Sequence, residues 1–211
     1  MKKDPNPKRL FPTCLSGFRM GGGSQPVTNF PAIVSKFIVT DVFEQWMLTH
    51  KEFDKDMYVI LNGSTGWGGR LVGILGSYSD LRKRYKVQTG RELTICYITT
   101  DPHKKVHPRF DLIINDWFRK VEPDVDRQYF KFHKKKVGSE TRNFYNFCKS
   151  VMDQYGVVGG HLSLTSPPYF NREMYGGYSG STGQSWKDFN EYDLWKEGFL
   201  KSSIRNIFNL L

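Results

Sequence analysis

The chain has 211 residues, 38% of them hydrophobic and 25% charged, which suits one α/β domain with a real core and leaves little room for a second. No apolar run approaches the ~20 residues needed to span a bilayer, so a membrane partner is not expected. Basic residues outnumber acidic ones, 31 to 21, and the net charge of +10 points to a polyanionic partner without marking a site.

The amino end, MKKDPNPKR, is basic but has no apolar segment behind it, unlike a secretory signal. Cys14, Cys96 and Cys148 form no C-x-x-C pair, so neither a disulfide framework nor a zinc site is indicated. A reducing, cytoplasmic setting is the expectation. The histidines (50, 103, 107, 133 and 161) are scattered, so no metal centre is expected. His103 and His107 share an i, i+4 spacing, but Pro102 and Pro108 flank them, and both read as surface residues.

Residues 1–28 are rich in Pro and Gly and read as an irregular arm. Asn29-Phe30-Pro31 then opens a helix. Asn is a good N-cap, and Pro31 falls near the first turn, where its missing N–H costs nothing. Ile33, Val34, Phe37, Ile38, Val42 and Trp46 follow at helical spacing, so a buried face is expected to run to about His50. Met57–Leu61 is a continuous apolar run, as in a central parallel strand. It stops at Asn62-Gly-Ser-Thr-Gly-Trp-Gly-Gly-Arg70, and a helix follows from about Gly68. Strand, Gly-rich turn and helix together bring backbone N–H groups toward a ligand. The turn is neither a Walker loop nor Gly-x-Gly-x-x-Gly.

The second strand, Leu93–Thr99, ends at Asp101. An acid at that tip, beside a Gly turn, can accept both hydroxyls of a ribose. Residues 102–120 read as a turn and a helix, and Gln128–His133 as a third strand. Lys134-Lys135-Lys136 reads as a solvated edge. Glu140 lies just beyond, before a helix marked by Phe144, Phe147, Cys148 and Val151. His161–Thr165 reads as a fourth strand, stopped by Pro167 and Pro168, which lack N–H donors and force extended backbone before them. The stiff turn presents Ser166, backbone carbonyls and the flat face of Tyr169. Such a notch suits a planar heterocycle with an amino group. Residues 176–185 read as a flexible loop, and an amphipathic helix from about Tyr192 closes the chain.

Taken in order, Asn-Phe-Pro, Ser-Thr-Gly-Trp-Gly-Gly-Arg, Thr-Asp-Pro and Thr-Ser-Pro-Pro-Tyr resemble the S-adenosylmethionine-dependent DNA methyltransferases of the cytosine-N4 and adenine-N6 type. These occur in restriction–modification systems and phages. The resemblance covers most of residues 29–211 and implies a Rossmann-like α/β fold: a mainly parallel sheet with helices on both faces. A cofactor half (29–140) would precede a catalytic segment (161–175), the loop and the closing helix (192–210).

By the same resemblance, Asn29, Phe30 and Pro31 look like the segment at the methionine end of the cofactor. Ser64, Thr65, Gly66, Gly68 and Gly69 look like the turn that holds its amino acid part. Asn62 stands at the end of the first strand, where the family usually has an acid. Asp101 resembles the ribose-binding acid, and Glu140 falls near the adenine or the methionine. Ser166, Pro167, Pro168 and Tyr169 resemble the catalytic segment. His161 stands where an Asp is common. The family continues past the point where this chain stops, so the resemblance implies a second subunit or a missing part for target choice. The partner it implies is double-stranded DNA with one base flipped out of the helix. Ser at the head of the catalytic segment leans toward cytosine N4. An inactive cofactor- or nucleic-acid-binding remnant and an RNA methyltransferase are the alternatives.

Overall fold

The computed structural model describes residues 30–168, 170 and 188–211. Its framework is a four-stranded, all-parallel sheet formed by β1 (Met57–Asn62), β2 (Thr94–Thr100), β3 (Phe130–Lys135) and β4 (Leu162–Ser163), in the order β3-β2-β1-β4. The helices are α1 (Ala32–His50), α2 (Gly69–Thr89), α3 (His107–Asp116, running into a π turn at Trp117–Val121) and α4 (Arg142–Tyr155). The last, α5, opens at Tyr192–Leu194, is π-wound over Trp195–Lys201 and ends as Ser202–Phe208.

The continuous apolar runs predicted for central strands divide by period two. Tyr58, Ile60, Ile95 and Tyr97 face a core with residues of α1, α2 and α3. Met57, Val59, Leu61, Cys96 and Ile98 face a second core with Phe144, Cys148 and Leu210. Helices therefore cover both faces, as the sequence predicts. The α1–α2 contact is close because position 73 has no side chain. A Cβ there would lie 2.4 Å from the Ala32 carbonyl oxygen and 2.4 Å from the Ser35 Cβ. The Ser35 hydroxyl donates to the Arg70 carbonyl (3.0 Å) in the same contact.

Several boundaries differ from those predicted. Pro31 is itself the N-cap of α1, with no side-chain cap; Asn29, expected to cap it, lies outside the described residues. β3 begins at Phe130 because the Asp126 carboxylate accepts from the Gln128 N–H (2.9 Å) and winds residues 127–129 into a short 3₁₀ turn. Lys134 and Lys135, expected beyond the strand, are its last two rungs, paired with Thr99 and Thr100. Lysine suits an edge strand, whose outer groups must not recruit another chain.

β4 pairs only at Leu162 and Ser163, not over 161–165. At its start the His161 N–H donates to the Val59 carbonyl (2.9 Å), and the Val59 N–H donates to the His161 Nδ1 (3.0 Å). An imidazole thus takes one rung of the ladder. The arm 1–28 and the loop 176–185 lie outside the described residues. Among those described, no helix is long and apolar enough to cross a membrane.

Gly73→Ala should cost about 2 kcal/mol or more, because the new methyl meets backbone that cannot yield. Gly76→Ala, with its nearest neighbours at 3.7 Å, should be neutral or stabilising by up to about 1 kcal/mol through helix propensity. Urea denaturation of the two variants checks this; equal effects would disprove the close approach.

Candidate functional site

The strand order reverses at β1: from β1 the strands run outward through β2 to β3, while β4 lies on the other side of β1, parallel to it. Ligands of open parallel sheets bind at the carboxyl ends of such a pair, because the two following loops diverge and leave a crevice. Here those segments are the glycine turn after β1 and the Ser-Pro-Pro segment after β4. They are tied at their base by the Leu164 N–H donating to the Leu61 carbonyl (2.9 Å).

The glycine turn is held from three sides. From β2, the Thr100 carbonyl accepts from the Thr65 N–H (3.1 Å) and from the Thr65 hydroxyl (2.9 Å). The Thr65 and Thr99 hydroxyls also bond to each other. From the loop after β2, the Asp101 Oδ2 accepts from the Gly66 N–H (3.0 Å), while its Oδ1 accepts from the His103 N–H (2.8 Å). From α2, the Arg70 guanidinium donates to the Ser64 (2.8 Å) and Thr65 (3.3 Å) carbonyls. The same guanidinium lies 4.8 Å over the Phe30 ring, which joins the Asn-Phe-Pro segment to the turn. Gly68, at φ 98°, starts α2 in a left-handed conformation that side chains disfavour. It also packs where a Cβ would fall 2.7 Å from Ile113.

The structure therefore brings Phe30, Ser64, Thr65, Gly66, Gly68, Gly69 and Asp101 together. Asn62 is present but turned inward. Fully buried, it donates from Nδ2 to the Tyr97 hydroxyl (2.6 Å) and accepts the Ser64 N–H on Oδ1 (3.1 Å), so it braces the turn. Pro31 is exposed at the head of α1. Glu140 follows Ser139, which packs on Gly63: a Cβ on Gly63 would lie 2.7 Å from that of Ser139. Ser166 is exposed, and Pro167 and Pro168 are half-buried, on the chain leaving β4. Tyr169 and Asn29 lie outside the described residues.

Burial raises the Asp101 carboxyl above the usual aspartate range, opposed by the N–H groups of His103 and Gly66 and by the two nearby imidazoles. Burial also raises Glu140, opposed by its own backbone N–H and helped by Asp188. Among the described residues, the His103 Nδ1, Glu140 Oε2, Ser163 Oγ and Thr165 Oγ1 on the loops and strand at this edge are buried without a hydrogen-bond partner, as are the Ser79 Oγ and Arg82 Nε on α2. Buried polar atoms are nearly always paired, so a group of orphans at one edge of a sheet fits a polar ligand there.

Sequence reasoning missed Arg70 and His107. Arg70 is only 4% exposed. Its signal was an arginine directly after a glycine run, at the start of an apolar helix. His107, expected at the surface, is buried and donates from Nε2 to the Asp101 carbonyl (2.7 Å). Pro108 does not separate it from a helix but sits in the first turn of α3, where proline is tolerated. Among the described residues no group of His, Cys, Asp and Glu could hold a metal ion. The chain matches no family model, no curated protein and no solved structure.

His161 flanks the β4 side, edge-on to Trp46 and Phe53. Burial drives its pKa from 6.5 down to about 4, partly opposed by Asp54 and reinforced by His50. The folded state therefore binds this proton less readily than the unfolded chain. The associated stability is complete above pH 6.5 and is lost as pH falls through about 4. The stability of the wild type relative to His161→Gln should thus drop by about 3 kcal/mol between pH 7 and pH 4. Urea titrations at a series of pH values test this, and a pH-independent difference would refute it.

Proposed function

We propose that the chain is an S-adenosylmethionine-dependent methyltransferase acting on an exocyclic amino group, cytosine N4 or adenine N6, of a base flipped out of duplex DNA. The observation that carries this reading is the Asp101–Gly66 bond at the carboxyl edge of the sheet. It sets a carboxylate at the tip of β2 against a glycine turn after β1. Each Asp101 oxygen accepts one N–H and keeps a second lone pair, so the pair can still receive the two hydroxyls of a ribose. The orphan Glu140 Oε2 and Thr165 Oγ1 would serve the remaining polar groups of the cofactor. The order of motifs in the sequence supports the same assignment.

The cofactor supplies an electrophilic methyl group. The work of the chain is then to position and polarise the acceptor. An exocyclic amine is a weak nucleophile because its lone pair is delocalised into the ring. The Ser166 Oγ and the Pro167 carbonyl accept hydrogen bonds from that amine, which localises the lone pair and aims it. Pro168 stiffens the turn, and Tyr169 stacks on the base. Catalysis is positioning plus electrostatics, with no covalent intermediate. Flipping the base costs a few kcal/mol, offset by contacts to the phosphates.

A protein that binds the cofactor without transferring its methyl group is the second reading. It is favoured by Asn62, whose amide is taken up inside the protein where the family has an acid. Nucleoside mass spectrometry of DNA incubated with the protein and S-adenosylmethionine separates the two. N4-methylcytosine or N6-methyladenine supports the enzyme. Cofactor binding with no methylated base supports the second reading, and loss of both overturns the assignment. Asp101→Ala should weaken cofactor binding about tenfold or more, as expected for a lost charge-assisted hydrogen bond. Tyr169→Ala should cut turnover about 100-fold, on the scale of ~1–3 kcal/mol for a lost base stack, and leave cofactor binding nearly unchanged.

A further inference from the structure

The loops after β2 and β3 carry a group of cations that the site described above does not use. Lys104 and Lys105 follow β2; Lys135 ends β3 and Lys136 follows it; all four are exposed, and among the described residues none has an ion-pair partner. Arg109, also exposed and without an ion pair, lies 5.1 Å over the Trp67 ring of the glycine turn. The two loops are stitched together by the Asp101 N–H donating to the Lys135 carbonyl (3.2 Å).

The nearby carboxylates do not neutralise this group. Asp101 is mostly buried and directed at the glycine turn, with one N–H donated to each oxygen, Asp111 pairs with Lys134, and Glu140 is part-buried near Asp188. Elsewhere, many surface cations are matched: Arg84 with Glu44, Lys120 with Asp116, Lys149 with Asp153. Among the described residues, this rim therefore gathers five exposed cations outside any ion pair, while Lys51, Lys55 and Lys83 are others that lie at the opposite edge of the sheet. No large apolar side chain is exposed on residues 101–109 or 134–142. A lipid surface would call for one to insert, so the chemistry favours a nucleic acid.

We propose that Lys104, Lys105, Lys135 and Lys136, with Arg109, contact the phosphate backbone of duplex DNA and hold it against the rim of the site. Adjacent strand ends lie about 4.8 Å apart, and each strand of a duplex carries a phosphate about every 3.4 Å of axis. Lysines on the two loops can therefore engage neighbouring phosphates. This inference rests on DNA being the substrate, and it adds which surface receives it. Contacts of this kind position the duplex and carry no sequence information.

The test compares two full-length variants of equal net charge. One replaces Lys104, Lys105, Lys135 and Lys136 by Gln. The other replaces Lys51, Lys55, Lys83 and Lys86, at the opposite edge of the sheet, by Gln. Anisotropy with a short labelled duplex is measured between 50 and 200 mM salt. The rim variant should bind about 30-fold more weakly or worse, with a salt slope shallower by about 2 to 4, since each lost phosphate contact removes about 0.9. The control variant should stay within about threefold of the wild type. Binding of S-adenosylmethionine should be unchanged in both, and thermal melts verify folding. If the rim variant does not fold, the pairs Lys104/Lys105 and Lys135/Lys136 are replaced separately. Equal losses in both variants, wild-type binding by the rim variant, or loss of binding to phosphatidylserine vesicles but not to DNA would overturn the proposal alone. Failure of the wild type to bind duplex DNA at 50 mM salt would overturn both the proposal and the reading beneath it.

Discussion

The turn from β1 to α2 has a problem that much of the surrounding structure answers. A glycine-rich turn has no side chains to protect its backbone, so every buried N–H and C=O in it needs a partner from elsewhere. The partners come from three directions. The Thr100 carbonyl and the Asp101 carboxylate take the Thr65 and Gly66 N–H groups, and Arg70 donates to the Ser64 and Thr65 carbonyls. A buried arginine is costly unless its donors are engaged. Here they secure the turn from below while the planar group packs on Phe30. Loss of the Asp101 carboxylate would therefore release the turn as well as remove a polar group.

The same economy sets the other side of the crevice. β4 is only two residues long, yet its neighbourhood is fixed on either flank. The His161 ring occupies a rung on β1, and the Gly160 N–H donates to the Leu210 carbonyl at the end of α5 (2.7 Å). Gly160 has little space for anything larger, since a Cβ would fall 2.9 Å from Leu61. A short strand held this way can direct a stiff Pro-Pro turn without a long ladder. The neutral imidazole is part of that support, because a protonated Nδ1 could no longer accept the Val59 N–H.

Charge is arranged in two layers at the carboxyl edge. Inside lie Asp101 and Glu140, both held by burial above their ordinary pKa values. Outside lie lysines that have no acidic partner among the described residues. An inner layer of acceptors suits the hydroxyl and amino groups of a nucleoside. An outer layer of cations suits phosphate. The two proposals made above correspond to these layers and draw on different residues.

Much of the scaffold was legible in the sequence. Continuous apolar runs at Met57–Leu61 and in Leu93–Thr99 dictate buried parallel strands, and the spacing from Ile33 to Trp46 dictates a helix. The face of that helix expected to be buried is not the one that packs: Ser35, Val39, Phe43 and Met47 are buried, while Ile33, Val34 and Phe37 are exposed. Gly-rich punctuation located the turn after β1, and Pro167 and Pro168 the end of β4, because glycine and proline act through their own backbone and need no neighbour. Asp101 was legible as a strand-end acid for the same local reason. What a side chain does once the chain is packed was not legible. Asn62 spells a strand-end polar group, but the Tyr97 hydroxyl on the neighbouring strand draws it inward. His107 looked solvated beside two prolines, yet the carbonyl it meets belongs to Asp101, six residues back across a turn. Ser139 reaches Gly63 only because β3 and β1 flank the same strand. Local propensity is a property of a few consecutive residues and can be read in order; hydrogen-bond partners and burial depend on which distant segments the sheet brings side by side, and only the tertiary structure decides that.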